Sequence, residues 1–179
     1  WWSRQTLDMQ WKFRSAVRQG LVASETNQQI IRRVTDSIEI ARFSAETLVR
    51  TSVQAVANEA RSQVFKDNID IMAGEEWSSA LDRRTCPTCG ALDGKRWSVE
   101  GNPVSGNKFS YEKPPKHFRC RCVMLHLTKT YKELGINIDE VPAGKRASMD
   151  GATTDKTFSE WLARREKITP GFAIQVLGN

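Results

Sequence analysis

All four cysteines of the chain, and one of its two histidines, lie in two short clusters: Cys86-Pro87-Thr88-Cys89 and His117-Phe118-Arg119-Cys120-Arg121-Cys122. Thiolate and imidazole are the ligands that suit zinc. A C-x-x-C turn lets two sulfurs reach one tetrahedral ion, and a second cluster completes the shell. The spacing predicts a structural metal site, with zinc as the ion. Five candidate ligands compete for four places. Cys86 and Cys89 form one knuckle. His117-x-x-Cys120 has the spacing of a second, which leaves Cys122 to the strand that follows. In the alternative, Cys86, Cys89, Cys120 and Cys122 make an all-sulfur shell with His117 behind it. An extended Cys120-x-Cys122 would point its sulfurs to opposite faces. Spacing leaves both shells open, and the all-sulfur version is preferred. Either shell is closed to a reactive water and therefore structural rather than catalytic.

Other chemistry finds little support. The H-x-E element that deaminases pair with P-C-x-x-C does not occur. No P-loop, G-x-S-x-G or paired catalytic carboxylates are present. His126 sits in an alternating segment with no evident partner, which suits a packed or surface side chain. Asp93, followed by Gly94, is explained as the first residue of a type I′ turn. No catalytic residue, small-molecule substrate or enzymatic activity is expected, and a metal-dependent hydrolase would need an open coordination position. Arg83, Arg84, Lys95, Arg96, Lys108, Lys113, Lys116, Arg119 and Arg121 surround the knuckles, interleaved with Trp97, Phe109, Tyr111 and Phe118. Such a set can bind phosphate and stack bases, which makes a DNA-binding zinc module the rival class. A module this small also needs its aromatics for packing, and that use is preferred.

The 179 residues carry a net charge of +6, with 39% hydrophobic and 27% charged residues. The positive charge is dispersed rather than blocked, so it permits nucleic acid as a partner without requiring it. No apolar run approaches the roughly 18 residues of a membrane helix, and no signal-peptide pattern opens the chain. A reducing compartment is therefore expected, where thiolates bind metal rather than pair. The Trp1-Trp2 start, without an initiator Met, suggests a fragment of a longer protein.

The elements that must position the clusters follow from pattern. Apolar spacing from Trp2 to Gln19 is helical, with Gly20 as its stop. Ser24-Glu25-Thr26-Asn27 starts a short amphipathic helix bearing Ile30, Ile31 and Val34. A long helix is predicted from Ser44 to Ile71, free of Gly and Pro and ended by Gly74. Strands are predicted at 76–81, at 95–99 after an Asp93-Gly94 hairpin turn, and at 123–128. Residues 101–116 make a long irregular loop, of the kind that is functional or held externally. Residues 134–151 are mostly loop, flexible at Pro142–Arg146. Thr157 and Glu160 make a capping box for a last helix, which Pro170-Gly171 breaks. The fold class is α+β: a helical N-terminal arm (1–73), a small zinc-stapled β-rich module (74–130), and a loop with a closing C-terminal helix (131–179).

The order of these motifs is itself distinctive. Arg50-Thr51, Ala57-Asn58-Glu59-Ala60-Arg61, Glu76-Trp77 and Asp82-x-Arg84-Thr85-Cys86-x-x-Cys89 run into Leu92-Asp93-Gly94-Lys95. Pro114-Pro115-x-His117-x-x-Cys120-Arg121-Cys122 follows, and Thr157-Phe158-x-Glu160-Trp161-Leu162 closes the chain. This series resembles the Mu F-type minor head proteins of tailed bacteriophages, also called head-morphogenesis proteins. The resemblance implies a structural virion or procapsid component, present in few copies at the portal vertex or head interior. It implies host cytoplasm during assembly, and portal or capsid proteins as partners. DNA packaging or ejection, with phage DNA as a further partner, is implied as an additional role. The resemblance supports Cys89, Cys120 and Cys122 best, since relatives replace the first cysteine and the histidine. Many relatives carry an acidic residue where this chain has Ser52. Some carry an extra toxin or enzyme domain outside the shared region.

Overall fold

The computed structural model describes residues 7–178. It divides into two compact units, one running through Ala57 and including residues 117–120, the other holding 58–116 and the chain from Arg121 onward. The architecture is α+β, as the pattern predicts: helices first, then a small antiparallel sheet, then closing helices. No helix among the described residues is long and apolar enough to cross a membrane.

The first unit is helical. Helices α1 (Leu7–Val22) and α2 (Asn27–Ile38) and the start of α3 (Arg42–Asp67) enclose Phe13, Val17, Ile30, Val34, Ala45 and Val49. Thr26 caps α2, and Gln29 returns the bond to the Thr26 N–H, so the start signal in the sequence is a full capping box. Gly20 does not end α1, which continues to Val22. Its hydrogen lets Ile30 approach, since a Cβ there would lie 2.6 Å from that side chain. Trp1 and Trp2, predicted to join this helix, lie outside the described residues.

Helix α3 begins at Arg42, before the predicted Ser44 cap, and ends at Asp67 rather than Ile71. The Asn68 side-chain amide donates to the Val64 carbonyl (2.8 Å), and a 3₁₀ turn (Ile69–Ile71) leads into strand β1 (Met72–Ser78). The sequence holds no breaker there, and the helix stops because residues from Met72 onward pair in the sheet. Gly74, predicted as the helix stop, lies inside β1 at φ +153°, where a Cβ would come within 2.2 Å of the Trp97 carbonyl oxygen.

The second unit is built on the antiparallel sheet β3-β2-β1-β4, with β2 at Arg96–Trp97, β3 at Pro103–Val104 and β4 at Val123–Thr128. Strand β4 matches its predicted limits. A tight turn forms at Asp93-Gly94, where the Lys95 N–H donates to the Leu92 carbonyl (2.9 Å). It follows helix α4 (Pro87–Leu92), which separates β1 from β2, rather than joining two strands as the predicted hairpin. Asp93 has φ −58° and ψ 128°, whereas a type I′ turn needs positive φ at both central residues. The region predicted as loop contains a short hairpin, β5 (Arg146–Ser148) and β6 (Gly151–Thr153). Helices α5 (Phe158–Ile168) and α6 (Phe172–Leu177) close the unit around Leu81, Phe158, Trp161 and Phe172. Thr157 caps α5 as expected, but Glu160 reaches back to the Lys156 N–H (2.7 Å), one residue before the cap.

Gly74→Ala should be the costliest single-methyl insertion in the chain. It combines a backbone conformation that L-residues avoid with a collision against main chain, and about 2–4 kcal/mol of stability should be lost. Chemical denaturation of the variant beside wild type measures this; a change within error would mean that the β1–β2 backbone approach is not held tightly.

Candidate metal centre

The first knuckle is a helix start rather than a bare turn. Cys86 is the N-cap of α4, its sulfur accepts the Cys89 N–H at 3.4 Å, and Pro87 occupies the first helical turn, where no donor is needed. The Thr85 hydroxyl donates to the Ala80 carbonyl (2.6 Å), fixing the approach to the cap. Gly90 lets α4 press on α5, since a Cβ there would stand 2.5 Å from the Phe158 ring.

Ser79 and Asp93 organise the surroundings. The Ser79 hydroxyl accepts the Trp77 indole N–H (3.1 Å), donates to the Cys89 carbonyl (2.8 Å) and lies 3.3 Å from the Cys122 sulfur. The Asp93 carboxylate is fully buried and collects the Ser79 N–H (2.6 Å), the Phe158 N–H (2.6 Å) and both terminal nitrogens of Arg146 (2.9 and 3.1 Å). Arg146 also donates to the Ser79 carbonyl at 2.7 Å. Asp93 is therefore a buried anchor, and Arg146 is ordered rather than part of a flexible loop. Sequence reasoning missed Ser79 and Arg146, and no local signal marks them, since their partners lie far away along the chain.

The second cluster is held by different bonds. Arg121 grips Asp82 with both guanidinium nitrogens, at 2.5 and 2.7 Å. That fork holds the Asp82 carboxyl below the usual carboxylate range. In the first unit, Arg119 sits at φ +60°, its N–H and Nε donate to Thr51 and Thr47 (2.9 and 2.8 Å), and its guanidinium lies over the Phe43 ring. The Cys120 N–H closes this turn on the His117 carbonyl at 3.2 Å.

In the second unit the sulfurs of Cys86 and Cys89 lie within 4.8 Å of each other, as do those of Cys89 and Cys122. Cys86, Cys89 and Cys122 thus offer sulfur ligands within this unit, while His117 and Cys120 belong to the first unit. Cys89, Cys120 and Cys122 are buried, Cys86 is partly so, and His117 is exposed. The donor set, soft sulfur with one imidazole at hand, suits zinc.

His126 has neighbours that the sequence did not reveal. It faces Glu75 across the β1–β4 pair, with Nε2 3.5 Å from the carboxylate, and packs on the Phe65 ring. The interleaved aromatics divide. Trp97 is buried, and the Tyr111 hydroxyl donates to buried Glu75 at 2.5 Å. Burial, and next that carboxylate, push the Tyr111 phenol well above its ordinary value. Phe118 is 61% exposed, and Phe109 also reaches the surface.

A family model described as phage Mu protein F like protein matches residues 11–125, more than half of the chain and all five candidate ligands. The chain belongs to this phage Mu F-like family. It is also similar to the minor head protein GP7 of Bacillus phage SPP1, 27% identical over 180 residues, which covers 91% of this chain and 54% of that protein. The chain thus spans about half the length of the curated relative it matches. No solved structure matches it. The family that the motifs resemble is therefore the one found. The Mu F-like match ends within β4, and α5 and α6 lie beyond it although Phe158 packs on the knuckle helix.

Asp93→Ala should cost about 3–5 kcal/mol, because it leaves the Arg146 charge without its buried partner. Asp93→Asn should lose less, since it keeps the shape and an acceptor for one of the two backbone N–H groups, which donate to different carboxylate oxygens. Equilibrium unfolding of the two variants checks the order; equal losses would assign the whole effect to the lost charge rather than to the side chain's shape or remaining acceptor.

Proposed function

We propose that the chain is a structural component of a tailed-phage head, acting in head morphogenesis by docking on other head proteins. Family membership carries this reading, supported by the similarity to a protein named as a minor head protein. The finer proposal is a place at the portal or on the inner capsid surface, in the virion and in assembling particles, with a further part in DNA packaging or ejection. A closed thiolate shell favours a non-catalytic role. Its proposed ligands are Cys86, Cys89, Cys120 and Cys122 around zinc, with His117 outside the shell as the alternative fourth ligand. The metal would brace a loop-rich segment that strands of two residues cannot hold.

The N-terminal helices supply the proposed contact surface. Of the aromatic cluster there, Phe13 is buried in the unit's own core, Trp11 is 68% exposed, and Trp1 and Trp2 lie outside the described residues. Leu7 and Val22 are exposed on the same helix as Trp11. An exposed Trp between exposed aliphatics marks a surface that another protein can cover.

Metal analysis should find stoichiometric zinc in the purified chain. Cys89→Ala should lose the metal and unfold the sheet-containing unit while sparing α1 and α2, read by zinc content and residue-level amide exchange. His117→Ala should retain zinc, weakened about 10–100-fold as for the loss of an outer partner. Loss of the metal in that variant would instead place His117 in the shell. Replacing Trp2 and Trp11 with Ser should reduce incorporation into heads with zinc content unchanged. Normal incorporation of the double variant, or robust hydrolysis of DNA, peptide or nucleotide by the clean chain, would overturn the docking reading.

A further inference from the structure

The two edges of the main sheet are finished differently. The β3 edge is two residues long and begins with Pro103, both devices that blunt strand pairing. The β4 edge is six residues, Val-Met-Leu-His-Leu-Thr, with no proline, lysine or acidic residue. Soluble proteins rarely leave such an edge unprotected.

The direction of the β4 backbone follows from its neighbours. The Trp77 N–H donates to Lys95 O (2.9 Å) and Trp77 O accepts from Gly94 (2.8 Å), so both groups face the β2 side. Trp77 pairs with Met124 and Glu75 with His126. An antiparallel residue directs both its groups to one side, and the side alternates. The N–H and C=O of Met124 and His126 therefore face away from β1. Two other bonds agree. The Asn58 side-chain amide donates to the Cys122 carbonyl (3.2 Å) from the outer side, and the Lys129 N–H, of opposite parity, reaches Ile71 O on the inner side. Helix α3 thus covers the edge at Cys122 through Asn58. At Met124 and His126 no hydrogen bond to the outward groups is found among the described residues.

Beside those groups lies a groove of about 400 Å³ lined by Ala60, Arg61, Val64, Met124, Leu125 and His126. Val64 is 54% and Leu125 44% exposed. Arg61 is exposed and makes no ion pair among the described residues. An open ladder, an apolar lining and an uncommitted cation meet in one place.

We propose that the outer edge of β4 is a docking site for an extended acidic segment of another protein, which adds as a strand beside β4 with a carboxylate toward Arg61. That this partner is a head protein rests on the function proposed above. Backbone pairing supplies the affinity, alternate apolar side chains fill the groove, and Arg61 selects the charge. A second copy of the chain would bring its own Arg61 to the same groove, and that like charge opposes self-pairing.

Amide exchange followed by NMR on the full chain tests this, with capped peptides of about six alternating residues as probes. A Val/Glu peptide should slow exchange of the Met124 and His126 amides by roughly tenfold or more, while a Val/Lys peptide should not. Arg61→Glu should abolish the effect and Arg61→Lys retain it, with unchanged melting in both. No protection from either peptide, or equal protection from both, overturns the proposal. Protection that grows with protein concentration alone would make a second copy the occupant, which also overturns it. If peptide protection is found but the wild-type chain fails to enter heads, the docking edge stands and the head-assembly reading falls.

Discussion

The sheet-containing unit depends on one buried charge. A carboxylate removed from water carries a penalty of several kcal/mol unless every lone pair is served, and Asp93 is served by groups from three separate segments. Ser79 comes from just after β1, Phe158 from the start of α5 and Arg146 from β5. Because each donor must arrive at a fixed point, the carboxylate sets where those elements meet. Asp93 also ends α4, so the helix bearing Cys86 and Cys89 is located by the same interaction. Cys86 and Cys89 inherit their placement from an ion pair that contributes none of the ligands.

What the sequence reveals and what it hides divide along this line. The Thr26 and Thr157 caps, the break at Pro170-Gly171 and the limits of β4 were legible because their causes are local: a side chain bonding three residues ahead, a missing donor, a run of alternating apolar residues. The end of α3 was not, because no residue from Ser44 to Ala73 opposes a helix and the decision belongs to the strand that pairs with 123–128. Gly20 and Gly74 both read locally as helix stops. Each instead serves a close approach, to Ile30 and to the Trp97 carbonyl, which only tertiary structure defines.

The candidate site follows the same rule. Its five ligand candidates were legible from residue type and spacing alone, since ligand chemistry is written in the side chains themselves. Their supporting shell was not. Ser79 is an unremarkable serine until its hydroxyl is seen between the Trp77 indole, the Cys89 carbonyl and the Cys122 sulfur. A hydroxyl carries one proton, and with that proton given to the Cys89 carbonyl its oxygen is left to accept from the indole. Asp93 was legible as a residue beside a turn glycine and misassigned, because Arg146 lies 53 positions away.

The segment from β2 to β4 shows why a proposed metal would matter there. Its two strands, β2 and β3, have two residues each, too few to order the chain by ladder bonds. Order comes from scattered side-chain bonds: the Trp97 indole to the Phe109 carbonyl, Asn107 to the Arg96 carbonyl, Tyr111 to Glu75 and Lys113 to Ser62. Each is worth about 1 kcal/mol net, comparable to the backbone entropy of fixing a single residue. Such bonds can select a conformation but cannot hold a segment of this length by themselves. The cysteines stand on both sides of it in sequence, before β2 and just before β4, where one shared ion would close the segment as a loop and cut the freedom of its unfolded state. The same economy explains the open edge of β4. A strand fixed from one side by β1 and at its start by Asn58 keeps a rigid, unpaired border, and rigidity before contact is what lets an added strand bind without first having to order its receptor.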